Sequence, residues 1–337
     1  MMRALFLLNP RDLGIILTYR CAGHCRHCLY NCGPRWPDEA MSAAALRQAL
    51  EAALTWPRTP QVHLTGGEPF FYFDLLLEGA RMAAEMGIDV YVETSGSWCT
   101  GEAEALERFR QLRQVGMSAV LVSCSPFHAE RIPPARTLRT IRAAQQVFGT
   151  HRVIVYRPEF LDILQRLGDD VERPTPLSRY EEVLGVDGAR QVLWEGYGLI
   201  SGGRSGYALG HLAPGRPAAD FAPARCVGEL LYAEHSHFDL YGHFIPAFCG
   251  GLRVGSWRDL GAVIDDFQAE RYPSLVEVLI ERGPYGLYEM ARDRYGYAPR
   301  EVGYAGKCHL CVDVRRHLAV ADDFDELRPR EFYEHIE

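Results

Sequence analysis

Eight residues, Cys21-Ala22-Gly23-His24-Cys25-Arg26-His27-Cys28, carry three thiols in a C-x3-C-x2-C spacing. Thiolates packed this closely on one loop are poor disulfide partners and suit several irons of a single cubane cluster. Three ligands on a four-iron cluster leave one iron open, the condition for metal chemistry beyond electron storage. Other readings stand beside this one. Cys32 could extend the run toward a ferredoxin-like set, a zinc ion could recruit a fourth ligand, or the thiols could be unpaired and buried. A second motif, Gly66-Gly67-Glu68-Pro69, follows the short apolar run Val62-His63-Leu64. Its glycines offer main chain that a ligand or another segment can approach closely.

The two motifs, in this order, resemble the cluster and GGEP motifs of the radical SAM superfamily. The resemblance implies a partial (βα)6 barrel over roughly residues 1–205. It implies a [4Fe-4S] cluster on Cys21, Cys25 and Cys28 whose open iron chelates S-adenosylmethionine. Reductive cleavage of that cofactor would give a 5′-deoxyadenosyl radical, which abstracts a substrate hydrogen and leads to net oxidation or a new C–X bond. The alternatives are a redox-neutral radical SAM enzyme with a structural second cluster, and a non-catalytic iron–sulfur or zinc scaffold or electron carrier. The backbone of Gly66, Gly67, Glu68 and Pro69 would lie beside the methionyl amino group. Thr94, Ser95 and Ser123 supply hydroxyls where relatives hold the ribose or carboxylate. Arg204 stands in a stretch like the GRA-type motif, as a clamp on a carboxylate or a polar loop. His27 occupies the slot where relatives place an aromatic on adenine. Plainer roles for these residues are turn glycines, strand-end caps, a surface charge and a solvent-facing histidine.

Four more cysteines, Cys226, Cys249, Cys308 and Cys311, fall in the C-terminal third. They are enough to close a second four-iron cluster, or to hold one zinc ion. The segment Asp239-Leu240-Tyr241-Gly242 … Cys249 reads as a β-hairpin around an Asp…Gly turn. It resembles the hairpin of the SPASM and twitch auxiliary-cluster domains. A full SPASM domain carries more cysteines, so a one-cluster, twitch-like version is expected, with an unusually long helical insertion between Cys249 and Cys308. Cys32, Cys99 and Cys124 are expected to be buried thiols. The tyrosines and arginines of 271–304 could line a ligand groove or simply wrap a helical insertion.

Alternating β-rich runs and helical stretches must position these groups. Strands are expected at 13–19, 61–65, 88–94, 118–124, 152–156 and roughly 197–201, and helices at 41–54, 72–86, 102–115 and 135–148. Short apolar strands separated by helices imply a parallel sheet buried on both faces, curled by right-handed crossovers into an α/β barrel or part of one. Chemistry then collects on loops at the C-terminal ends of the strands, where the cysteines, GGEP, Thr94-Ser95, Ser123 and Arg204 all fall. A loop is expected across 168–176, a short helix from Ser178 with that serine as its cap, and a linker over 206–224 into a smaller α+β domain at 206–337.

The chain has 337 residues, is 47% hydrophobic and carries a formal net charge of −8, a balance that speaks against a nucleic-acid surface. No apolar run is long enough for a membrane span, and the N-terminus lacks the length and cleavage site of a secretory signal. Ten cysteines in such a chain point to metal ligation and to the cytoplasm. The expected partners are a small-molecule or peptide substrate and a reductase or flavodoxin that donates electrons. Relatives with this C-terminal module often modify ribosomally made peptides, while others oxidise alcohols or sugars. Little sequence precedes the first strand, so leader-peptide binding would fall to a separate recognition protein. On position alone, His128, Glu195 and Tyr156 are candidate proton acceptors near the substrate.

Overall fold

The computed structural model describes residues 9–160, 162–163 and 170–336. The N-terminal residues 1–8 and the Gly168-Asp169 start of the expected loop lie outside the described residues. Five parallel strands appear where the apolar runs predicted them: β1 (Asp12–Thr18), β2 (Gln61–Gly66), β3 (Val90–Thr94), β4 (Ala119–Ser123) and β5 (Val153–Tyr156). Helices Ala43–Ala53, Phe73–Glu85, Glu102–Gln114 and Pro134–Phe148 alternate with them. Ser42 starts the first by accepting a hydrogen bond from the Ala45 N–H, satisfying one donor that the first turn leaves unpaired. The last ends at Gly149, whose φ of 82° a side chain would resist.

Side chains alternate across each strand. Leu13, Ile15 and Leu17 of β1 join Leu46 and Leu50 in the main core under the helices. Ile16 instead faces a smaller cluster with Tyr19, Cys21, Cys32 and Trp36. One sheet face is therefore helix-covered, and the opposite face lines the interior of the partial barrel.

The sixth strand is not where the sequence suggested. Residues 197–201 form a turn and irregular chain after a π-helical turn at Gln191–Gly196. The place beside β1 is taken by β6 (His235–Asp239), which pairs parallel to it with Asp12 opposite His235 and Gly14 opposite His237. An antiparallel extension follows, β7 (His243–Pro246) and β8 (Gly255–Ser256), giving the order β5-β4-β3-β2-β1-β6-β7-β8. A single sheet thus joins the barrel strands to the C-terminal hairpin. The hairpin turns as expected. Buried Asp239 accepts the N–H groups of Tyr241 and His243 and the Tyr19 hydroxyl, tying the turn to the end of β1.

Two further expectations are corrected. Ser178 does not cap its helix; it is the first residue of Ser178–Arg190, which is interrupted at Gly185 (φ 71°). Residues 206–224 are not an open linker but short helical turns whose Leu209, Leu212, Ala218 and Phe221 are buried. Tyr288, Tyr297 and Tyr304 are buried too, so the tyrosine-rich stretch belongs to the packing of helices Gly283–Tyr295 and Lys307–Ala321. Among the described residues no helix is long and apolar enough to cross a membrane.

Candidate active site and metal-binding cysteines

The cysteine loop leaves the C-terminal end of β1 and is held there by main chain. Gly67 donates its N–H to Thr18 O at 2.7 Å and Glu68 to Arg20 O at 2.9 Å, so the GGEP turn docks directly against the residues that lead into Cys21. A Cβ on Gly67 would stand 2.5 Å from the Arg20 carbonyl carbon and 2.9 Å from Tyr19 O, which explains why no side chain fits there. The glycines therefore serve the approach of one loop to another.

Glu68 is fully buried. Its carboxylate accepts hydrogen bonds from the Thr94 hydroxyl (2.8 Å), the Ser95 N–H (3.1 Å) and the Ser95 hydroxyl (2.6 Å). These donors favour the ionised form, but burial outweighs them and holds the carboxyl above its usual range. Glu68, Thr94 and Ser95 thus form one connected shelf across the ends of β2 and β3. Ser123 ends β4 on the same edge of the sheet, opposite Tyr156 of β5.

Within the loop, Gly23 donates its N–H to Cys21 Sγ, and a Cβ on it would lie 3.1 Å from Cys25 Sγ and 3.6 Å from Cys21 Sγ. The glycine makes room for two sulfurs to converge. Burial pushes the Cys25 thiol up to about 12 and holds Cys21 well above the ordinary thiol range, with each neighbouring sulfur adding repulsion. Cys28 is drawn down to about 6, chiefly by the Cys32 thiol, which keeps its own proton and donates to it. Three buried sulfurs that repel one another in their ionised forms are a donor set suited to a cationic cluster.

Arg204, 2% exposed, turns inward. Its guanidinium donates to the carbonyls of Cys25 (2.8 Å), Cys32 (3.2 Å) and His335 (3.2 Å), while its backbone N–H donates to Cys28 O. It is a clamp on the polar cysteine loop itself. Gly203 (φ 53°) brings that segment against Leu29. His27 stacks on Phe127 with ring centroids 4.7 Å apart and meets His128 and Tyr197 edge-on. Burial keeps it well below the usual histidine range.

The three candidate proton acceptors separate. His128 is close to the loop, its Nδ1 2.7 Å from Ser125 Oγ, and burial lowers it to about 4. Glu195 is half-exposed and ion-paired with Arg190 at 2.8 Å. Tyr156 is 45% exposed on β5, the outermost strand of the sheet.

Cys226, Cys249, Cys308 and Cys311 are brought together on one cavity, lined also by Gly202, Gly203 and Arg315. Burial raises the Cys308 thiol to about 12 and pushes Cys226 and Cys249 higher still. This cavity abuts the first cysteine loop. A Cβ on Gly202 would touch both Leu29 Cδ2 (3.6 Å) and Cys308 Cβ (3.7 Å). Cys32 is buried beside Cys28, Cys99 lies in the main core and Cys124 packs with Cys25.

The sequence reading missed one group. His63 of β2 and His235 and His237 of β6 meet on the interior face of the sheet, with one nitrogen from each ring all within 4.8 Å of one another. The alternation His235-Ser236-His237 on a strand was the available signal, since residues two apart share a face.

Residues 15–170 match the model of the Radical SAM superfamily. Among solved structures, the fold is similar to BtrN in complex with AdoMet and 2-DOIA, at 13% identity over 81% of this chain and 88% of that one, with a TM-score of 0.43. It is also similar to native anSMEcpe with bound AdoMet and Cp18Cys peptide, at 11% identity over 96% and 95% of the two chains, with a TM-score of 0.42. A comparison with curated proteins gives no match.

Proposed function

Starting from residues 15–170 as a radical SAM domain, and from the chain as an enzyme, we propose that it uses S-adenosylmethionine to oxidise, or form a new carbon–heteroatom bond on, a peptide or small-molecule substrate. Cys21, Cys25 and Cys28 would hold a [4Fe-4S] cluster, and Cys226, Cys249, Cys308 and Cys311 an auxiliary one of twitch type. When bound, the first cluster and S-adenosylmethionine supply a one-electron cleavage that makes a carbon radical able to take a substrate hydrogen.

The observation that carries this reading is the main-chain junction between the GGEP turn and the cysteine loop. It sets three thiols, the Glu68–Ser95 shelf and Ser123 on one end of the sheet. The protein's own share is positional. Arg204 fixes the carbonyls between the thiols, so their directions are set before any ligand arrives. Segment 177–212 packs Leu177, Tyr180, Leu193 and Leu209 against Cys25 and Phe127, which keeps water from that side of the loop. His128 stays uncharged at neutral pH, and its value near 4 makes it a weak base there.

Cluster ligation is favoured over zinc by spacing. Four thiolates at about 2.3 Å from one zinc ion stand roughly 3.8 Å apart. Among the described residues the histidine trio alone forms a set of three ligands all within 4.8 Å, so neither cysteine set is that compact. The shared wall of Leu29, Gly202 and Cys308 supports electron transfer between the two cysteine sites during net oxidation. An external reductase or flavodoxin would supply the first electron in the cytoplasm, and a separate recognition protein would present a peptide substrate. Anaerobic reconstitution and reduction with S-adenosylmethionine tests the proposal: 5′-deoxyadenosine should form in wild type and not in Cys28→Ser. Its absence from iron-loaded wild type would overturn the reading.

A further inference from the structure

His63, Gly14 and His237 lie on one rung across three adjacent strands: Gly14 pairs with His63 on one side and with His237 on the other. Glycine weakens a strand interior and there marks close approach. Here the reason is visible. A Cβ on Gly14 would lie 2.6 Å from His63 Nε2 and 2.8 Å from His237 Nε2, so its absence lets the two imidazoles converge. His235, two residues along β6 on the same face, brings its Nε2 to 3.2 Å from His237 Nε2. Ligand nitrogens about 2.0–2.1 Å from a tetrahedral ion stand roughly 3.3 Å apart.

The surroundings suit a metal. His237 Nδ1 is 3.1 Å from Ala247 O and 2.9 Å from the Tyr30 hydroxyl, which also lies 3.2 Å from Nε2. With the Nδ1 proton given to Ala247 O, the ring is oriented as a ligating ring is and presents Nε2 to an ion. His63 is 1% exposed, and its Nδ1 is buried without a hydrogen-bond partner among the described residues. Tyr91, opposite His63 on β3, stacks on it (5.1 Å), and the Glu93 carboxylate, two residues further along β3, has Oε1 3.8 Å from His63 Nε2. His235 is half-buried beside exposed Phe248, so the group is reachable from solvent.

We infer that His63, His235 and His237 bind one divalent first-row transition-metal ion on the interior face of the partial barrel, with a position left open toward Glu93 for water or a substrate oxygen. Three imidazoles with an open position are the donor set of reactive sites rather than of structural ones. The site uses no cysteine and does not depend on the iron–sulfur reading.

Zinc is the probe. The reconstituted protein is equilibrated with Zn2+, desalted, and examined by elemental analysis and zinc K-edge absorption, which iron does not obscure. The expected result is about one zinc per chain, with nitrogen or oxygen neighbours near 2.0 Å and no sulfur near 2.3 Å. His235→Asn, at the accessible edge, should weaken zinc binding about a hundredfold or more, beyond a typical second-shell loss. Iron content should stay unchanged. Gly14→Ala, in protein whose melting and iron content remain normal, should also lose the zinc although every histidine is retained. No tightly bound zinc in wild type, a sulfur shell, or zinc retained in His235→Asn would overturn the inference. Iron loss in wild type would bear on the cysteine clusters alone.

Discussion

Ser95 binds the Glu68 carboxylate twice, through its backbone N–H at 3.1 Å and its hydroxyl at 2.6 Å, and so locks the end of β3 to the turn after β2. The two substitutions at this pair should differ. Ser95→Ala removes one hydroxyl bond and should cost about 1 kcal/mol in chemical denaturation. Glu68→Ala strands the Ser95 N–H and the Thr94 hydroxyl in a buried setting and should cost roughly 2–4 kcal/mol. Equal costs would mean that the carboxylate does not organise the shelf.

Arg204 should matter through the loop it clamps. Arg204→Ala leaves the carbonyls of Cys25, Cys32 and His335 without their donor, at roughly 2–4 kcal/mol. Iron per chain after reconstitution should fall with it. Arg204→Lys keeps the charge but not the planar fork, so it should fall between wild type and Ala in both measurements.

Cys32 should be dispensable for iron and visible in Cys28. With its proton donated to Cys28, Cys32 holds the Cys28 thiol down to about 6. Removing that donor in Cys32→Ala favours the protonated thiol. In iron-free protein the pH midpoint for alkylation of Cys28 should therefore move upward from about 6. The reconstituted variant should keep its iron and its S-adenosylmethionine cleavage, whereas loss of the first cluster would make Cys32 a ligand.

The auxiliary cysteines predict a separation of activities. Cys308→Ser with Cys311→Ser should reduce iron from about eight to about four atoms per chain. Formation of 5′-deoxyadenosine should persist while substrate oxidation is lost. Loss of both activities in a protein that still melts cooperatively would argue against a role confined to later electron transfer.

Acid sensitivity follows from His128. Burial lowers its folded value from the ordinary 6.5 to about 4, so between these values the unfolded chain binds more protons. The stability it contributes is present above about 6.5 and is lost as pH falls toward 4. Denaturation midpoints should drop between pH 7.5 and 5, and His128→Asn should flatten that slope.

The cysteine spacing, the GGEP turn, the order of the first five strands and the Asp239 hairpin were legible in the amino-acid sequence. Each is written in neighbouring residues: thiols a few positions apart, apolar runs of strand length, a turn residue facing a glycine. The occupant of the place beside β1 was not. Tyr19 meets Asp239 across 220 positions, and no local periodicity encodes which distant strand completes a sheet. Residues 197–201 had a strand's composition, yet β6 fills that edge and its hairpin continues the sheet outward. The same non-local pairing decided the rest. Whether Arg204 clamps a carboxylate or a polar loop was decided only when folding placed the Cys25 and Cys32 carbonyls against its guanidinium. His63 is an ordinary strand residue until β6 brings His235 and His237 across the gap that Gly14 leaves open.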